Sequence, residues 1–114
     1  MSLLDFDFPV THCMEENLFY TEEYDGRIYY NKKGLRHRDL GPAYVDKFGY
    51  QCWWFNGKKH RVDGPAELWT WKEKKYCWFI DNRQYKTIEK WAKALVKKGY
   101  KTKEETLMLI LKWK

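Results

Sequence analysis

The string HRDLGPA at residues 37–43 returns as HRVDGPA at residues 60–66, and every shared residue is offset by 23 positions. A self-similarity of about 20 to 50 residues is typical of one supersecondary unit copied along a chain. His37 and His60 are therefore interpreted first as two copies of one structural position, and the same holds for Arg38 and Arg61.

The flanks of the two copies extend the repeat and predict β-hairpins. Aromatic runs at residues 28–30 and 52–55 precede the copies, and each run breaks at a basic turn that contains glycine. A third, partial copy, CWFIDNRQY, occupies residues 77–85. Asn56-Gly57 is a strong hairpin signal because both residues accept a positive φ. The pattern predicts an antiparallel meander of hairpins that forms an open, twisted sheet, with a central strand over residues 50–55.

The repeated GPA string is interpreted as a structural turn. Gly41 and Gly64 are expected to take backbone angles closed to other residues, while Pro42 and Pro65 fix φ at the entry to the next strand. The arginine and histidine that precede each glycine are expected to close the turn through hydrogen bonds to its carbonyls.

The last third of the chain has helical periodicity. Thr87 is a predicted N-cap for an amphipathic helix, and Thr102 with Glu105 forms a capping-box pattern for a second one. The predicted fold class is α+β, mainly β, with one or two C-terminal helices that cap the sheet. We expect one domain, 1–114, with an acidic N-terminal segment at 1–26, β-hairpin repeats at 27–85 and helices at 86–114.

Charge is unevenly distributed around the net value of +6. Residues 1–26 contain seven acids and no Lys or Arg, whereas residues 27–114 contain all 22 basic residues and nine acids. The acidic segment either packs back on the basic sheet or leaves a basic face free for an acidic partner. No apolar run approaches the roughly 18 residues of a membrane span, and the start of the chain lacks a signal-peptide pattern. We expect a cytoplasmic protein with no membrane partner.

Three cysteines without metal-ligand spacing predict buried thiols on adjacent strands, with no disulfide framework, metal or cofactor. No Gly-rich phosphate loop or nucleophile elbow is present. Repeat equivalence also opposes an acid–base pair, because equivalent histidines have similar environments and catalysis needs different ones. We therefore expect no enzyme activity.

The candidate binding residues follow the repeat. Two histidine–arginine pairs on one side of the sheet would form a cationic row for phosphates or acidic side chains. Exposed aromatic rings beside that row would favour single-stranded nucleic acid, because bases stack on them. The alternative interpretation makes the same residues satisfied turn and strand-edge groups. The candidates are His37, Arg38, Lys58, Lys59, His60, Arg61, Trp53 and Trp69.

The two copies and their flanks resemble a repeat of bacteriophage and large-DNA-virus proteins in which NGK, HR and DGPA recur, and which is similar to MORN-type repeats. The most specific match is NGKKHRVDGPA at residues 56–66; the first copy departs from it at Leu40, where the second has Asp63. The resemblance covers residues 27–85 and implies successive β-hairpins, usually without enzyme activity of their own. It also implies a phage-encoded protein. Small phage proteins outside the virion often act by blocking a host factor, so from this source we expect a protein that binds and modulates, or inhibits, a host or viral macromolecule.

These observations lead to two function hypotheses. The first is a small interaction protein whose aromatic and basic sheet face binds another protein. The second is a nucleic-acid-binding module. An unclosed meander leaves unpaired strand edges, so we expect a monomer or a weak homodimer.

Overall fold

The computed structural model describes residues 8–23 and 25–114. Within them, two strands lie in the acidic segment, β1 (Val10–Cys13) and β2 (Leu18–Glu23), and eight follow: β3 (Gly26–Tyr30), β4 (Tyr44–Asp46), β5 (Tyr50–Cys52), β6 (Trp54–Phe55), β7 (Lys58–Lys59), β8 (Glu67–Trp69), β9 (Lys75–Ile80) and β10 (Arg83–Tyr85). Two helices end the chain, α1 (Ile88–Lys97) and α2 (Lys103–Trp113).

The strands form the predicted open antiparallel meander. Among the described residues the main sheet has the order β1-β2-β3-β4-β5-β8-β9-β10, and β6 pairs with β7 in a separate two-stranded ribbon. β5 is central, as predicted, but the expected strand over residues 50–55 is interrupted at Trp53. The chain changes partners there: the Trp53 N–H donates to the carbonyl of Ala66, directly before β8, while the Trp54 carbonyl accepts from the Arg38 N–H in the first repeat loop.

The described part of the acidic N-terminal segment contributes two strands to the sheet. β1 and β2 form a hairpin, and β2 continues the meander onto β3. Residues 1–7 and Tyr24, which are part of the segment expected at 1–26, lie outside the described residues.

Helix α1 caps the C-terminal end of the sheet. Thr87 Oγ1 accepts from the Lys90 N–H, and the buried face of α1 packs on β9 and β10. The Trp91 ring lies 4.7 Å from the Trp78 ring and is fully buried. Helix α2 begins with the predicted capping box of Thr102 and Glu105. The apolar face of α1, which includes Trp91, therefore covers the end of the repeat array, as terminal units of open arrays require.

The cysteine prediction was partly wrong. Cys52 is buried and Cys77 is half-buried, but they lie on β5 and β9, with Glu67 of β8 between them in register. Burial raises the pKa of the Cys52 thiol to about 11. A thiol that keeps its proton at neutral pH behaves as a small apolar side chain.

Candidate binding groove between the two repeat loops

Each repeat histidine holds the tight turn of the next hairpin. His37 Nδ1 accepts from the Asn56 N–H at 2.9 Å, and His60 Nδ1 accepts from the Asp81 N–H at 3.1 Å. Both turns need positive φ at two residues, with φ of 48° at Asn56 and 47° at Asp81. The imidazole thus satisfies an N–H that the strained turn leaves without a backbone partner.

The arginines close their own loops, as predicted. Arg38 Nη1 donates to the Pro42 carbonyl at 3.3 Å, and Arg61 Nη1 donates to the Pro65 carbonyl at 3.1 Å. Each guanidinium also lies over an aromatic ring of its own hairpin, at 4.0 Å for Arg38 and 3.8 Å for Arg61. The histidines were expected to bond the same carbonyls, and they instead bond the following hairpin.

The reason given for the two repeat glycines was wrong. Neither Gly41 nor Gly64 has the left-handed φ that was expected. Gly64 is required for space, because a Cβ there would lie 2.8 Å from Arg61 Cζ and 2.8 Å from Trp113 Cζ2. Pro42 and Pro65 stand two residues before β4 and β8, at the strand entries where they were expected.

The cations of the repeat row are paired with carboxylates inside the molecule. Arg38 forms a two-pronged contact with Glu16, at 2.9 Å and 3.0 Å, and Arg61 bonds Asp63 at 2.8 Å. Lys59 pairs with the buried Glu67. Glu16 comes from the acidic segment, so the interpretation in which that segment packs back on the basic sheet holds for this residue.

The remaining candidate residues are divided between buried and exposed positions. His37 is buried, and its Nε2 lies 3.0 Å from Asp39. Lys58 is exposed on the β6–β7 ribbon. Trp53 is half-buried beneath Arg61, and Trp69 is half-buried against Tyr50, with the ring centroids 4.8 Å apart.

The rings that reach solvent beside the repeat histidines are different from those expected. Phe55 is 45% exposed, and its ring lies 4.5 Å from His37 and 6.2 Å from His60. Tyr100 is 43% exposed and packs edge-on against His60 at 5.3 Å. The alternation over residues 50–55 gave Phe55 the same parity as Trp53 but contained no signal for which of the two is exposed.

A groove of about 630 Å³ lies between the two repeat loops. Four candidates, Arg38, Trp53, His60 and Arg61, line it, whereas His37, Lys58, Lys59 and Trp69 do not. Its rim carries Leu40, which is 82% exposed, and the Phe55 ring. The carboxylates of Asp39 and Asp63 are also exposed there. The groove therefore offers apolar contact area bordered by carboxylates.

Burial lowers the pKa of His60, against the opposing effect of the Asp81 carboxylate. Neutral imidazole is also the form that can accept the Asp81 N–H at Nδ1. Among the described residues no group of three or more His, Cys, Asp or Glu side chains is arranged to hold a metal ion.

Replacing His37 or His60 by alanine is expected to reduce folding stability more than binding. Loss of the acceptor leaves a turn N–H unsatisfied, which costs about 1–3 kcal/mol, with the larger loss at the more buried His37. Urea unfolding measures the change. His12→Ala is the control, because His12 is exposed on β1 and bonds only the nearby Asn17 in the described chain. Unchanged stability with lost binding in the His37 and His60 variants would make these histidines ligand-binding residues.

Comparisons with known proteins add no relative from which a function could be transferred. No family model matches the chain, and neither the curated proteins nor the solved structures give a significant match. In the described part of the chain, neither helix has the length and apolar character needed to cross a bilayer.

Proposed function

We propose that this chain is a small binding protein without a reaction of its own, which binds a protein partner in the groove between the two repeat loops and modulates that partner. Following the resemblance of its repeats, the chain is a phage protein that acts in the cytoplasm of the host cell, as a monomer or weak dimer. One observation carries the proposal: the groove exposes Leu40 and Phe55, while the two arginines that also line it already have carboxylate partners.

The charge pairing favours a protein over a phosphate ligand at this groove. A phosphate that binds Arg38 or Arg61 has to displace Glu16 or Asp63, and it also approaches the exposed carboxylates of the rim. An apolar anchor of a protein partner instead buries Leu40 and Phe55 and leaves every ion pair in place. Full burial of such side chains contributes about 1.5–3 kcal/mol each.

The rim also predicts what surrounds the anchor on the partner. The Asp39 side chain is 58% exposed and that of Asp63 is 66% exposed, on opposite loops of the groove. Lys or Arg side chains on the partner can pair with these carboxylates without entering the groove. The partner surface that fits is an apolar anchor with basic residues on either side.

Affinity purification of the tagged protein from the cells that naturally contain it, with nuclease treatment, tests the proposal. Leu40→Asp is expected to lower recovery of the bound protein at least about tenfold, because it places a charge where the anchor docks. The exposed position makes this change nearly neutral for folding. The control is Leu107→Asp, at a side chain that is 55% exposed on α2.

The two variants make the outcome decisive. A partner that is lost with Leu40→Asp and retained with Leu107→Asp supports the groove. A partner that is retained with Leu40→Asp and lost with Leu107→Asp places binding on α2 and contradicts the proposal. Recovery of nucleic acid in place of protein contradicts it as well.

Binding of single-stranded nucleic acid is the second candidate function. Exposed rings beside the repeat histidines favour it, and Phe55 and Tyr100 are exposed there. The arginines of the repeat row are already neutralised, so a phosphate site for this function has to use other cations.

A further inference from the structure

A second concave surface lies on the outer side of α1. It is a cleft of about 550 Å³ between α1 and β10, with Tyr85 among its lining residues. Its cationic groups come from both elements, and we call it the lysine cleft: Arg83, Lys90, Lys93, Lys97 and Lys98.

The cations of the lysine cleft differ from those of the repeat row because they lack carboxylate partners. In the described residues, none of these five side chains forms an ion pair, and no acidic residue lines the cleft. Glu89, the acid on α1, pairs with Lys114 instead. Concentrated like charge at a concave surface attracts a polyanion, since neutralising it releases the self-repulsion of the cations.

The spacing along α1 suits a polymer of phosphates. Lys90, Lys93 and Lys97 follow one another by three and four residues, which places them on one side of the helix. From Lys90 to Lys98 the helix rises about 12 Å. A stacked nucleic-acid strand places about three or four phosphates in that length.

Exposed aromatic rings continue the surface from one end of the lysine cleft. Tyr100 follows Lys98 by two residues, and its hydroxyl donates to Asp81, which precedes Arg83 by two residues. The Tyr100 ring therefore joins the C-terminal end of α1 to the β9–β10 turn. Beyond it lie His60 and then Phe55. The bases of a single strand stack on aromatic rings that lie next to a row of cations. An acidic peptide has no bases to stack on these rings, so the exposed rings favour a nucleic acid.

We infer that the lysine cleft binds the phosphate backbone of a single-stranded nucleic acid, whose neighbouring bases stack on Tyr100 and Phe55. The lysine cleft has no lining residue in common with the groove between the repeat loops, although the Phe55 ring beyond Tyr100 also lies on the rim of that groove. The inference does not rest on the protein-binding function proposed for the groove. Its affinity is set by ion release and falls with added salt.

Fluorescence anisotropy with a labelled oligothymidylate of about 20 nucleotides tests the inference. For up to five phosphate contacts, log K is expected to fall against log salt with a slope no steeper than about −3.5. Lys93→Gln with Lys97→Gln removes two contacts and lowers affinity on the order of 10- to 30-fold near 0.1 M salt, with a shallower slope. Glutamine is a good helix former, so α1 is expected to persist, and circular dichroism checks this.

The matched control removes two lysines at the other end of the strands. Lys72→Gln with Lys74→Gln makes the same charge change in the β8–β9 turn, at the opposite end of β9 from the β9–β10 turn, and is expected to leave affinity within about twofold. Tyr100→Ala is expected to weaken binding about tenfold, whereas Tyr100→Phe keeps the ring and the affinity.

Three results would overturn the inference. The first is no binding of the oligothymidylate at low salt. The second is an equal loss of affinity for the oligothymidylate in the cleft and control variants, which would show that only the net charge of the protein matters. The third is tighter binding of a DNA duplex or of polyglutamate, which assigns the cleft to duplex or to an acidic protein. The Lys93 and Lys97 variant should still bind any protein captured through Leu40, so failure here is distinguishable from failure of the groove.

Discussion

Trp91→Ala is expected to lower the free energy of unfolding by about 4 kcal/mol. Trp91 is fully buried, packs on Trp78 at 4.7 Å, and donates its indole N–H to the Arg61 carbonyl at 3.2 Å. The change removes a large apolar side chain and leaves that carbonyl without its partner. A domain of this size is stabilised by about 5–15 kcal/mol in total, so the variant loses a large fraction of its stability and is expected to unfold at a much lower urea concentration. Urea unfolding followed by fluorescence measures the loss.

Trp71→Ala is the matched control for Trp91→Ala. Trp71 is 63% exposed in the β8–β9 turn, where it contacts Phe48 and Lys72. Its replacement is expected to cost less than about 1 kcal/mol. Similar losses for the two tryptophans would contradict the role of α1 as a packed cap on the sheet.

Lys59→Ala is expected to destabilise the fold by about 3 kcal/mol, because it leaves the buried Glu67 carboxylate without its counter-charge. The Glu67 side chain is 9% exposed and lies between Cys52 and Cys77, which offer it little solvation. The Lys59 side chain is 29% exposed, so the loss should fall toward the lower end of the range for buried pairs. Chemical denaturation at neutral pH measures it.

Two further variants separate the ion pair from other effects of Lys59. Lys58→Ala changes the adjacent, exposed lysine and is expected to alter stability by no more than about 0.5 kcal/mol. Lys59→Met combined with Glu67→Leu replaces both charges by apolar groups and should recover most of the loss. A double variant as unstable as Lys59→Ala would show that the charge pair does not cause the destabilisation.

Local patterns in the sequence were sufficient for the hairpins and the helix caps. A turn such as Asn56-Gly57, or the Thr102 and Glu105 capping box, depends on residues only a few positions apart. The 23-residue offset between the two copies then predicted that neighbouring hairpins have the same structure. The open meander follows from these local units, and the described structure confirms it.

Contacts between distant residues could not be predicted in this way. Glu16 is 22 positions from Arg38 and belongs to a segment with no repeat signal, so its pairing depends on β1 and β2 joining the sheet. The break at Trp53 has a similar cause, since it requires partners from both neighbouring repeat loops. Gly64 is constrained by Trp113, nearly 50 residues away, and only the folded chain shows the close approach.

Four of the eight candidate binding residues line the groove, and the sequence did not indicate which side chains are exposed there. The repeat correctly indicated that His37 and His60 occupy equivalent positions, because both accept from the next turn. Periodicity does not report which aromatic ring reaches solvent, so Phe55 and Tyr100 were missed. A count of charged residues in the sequence also does not show which cations are paired with carboxylates in the fold. That pairing is what distinguishes Arg38 from the lysines of α1.

The central claim is that each repeat histidine is a neutral acceptor that fastens one hairpin to the next. Long-range ¹H–¹⁵N NMR near pH 7 tests it by reading the tautomer of each imidazole and the coupling across its hydrogen bond. The claim predicts that His37 and His60 are both protonated at Nε2 alone, with couplings from Nδ1 to the amides of Asn56 and Asp81. Averaged ¹⁵N chemical shifts for the two nitrogens of each imidazole, with no coupling to the amide of Asn56 or of Asp81, would contradict the claim. Such a result would leave the histidines free for a ligand.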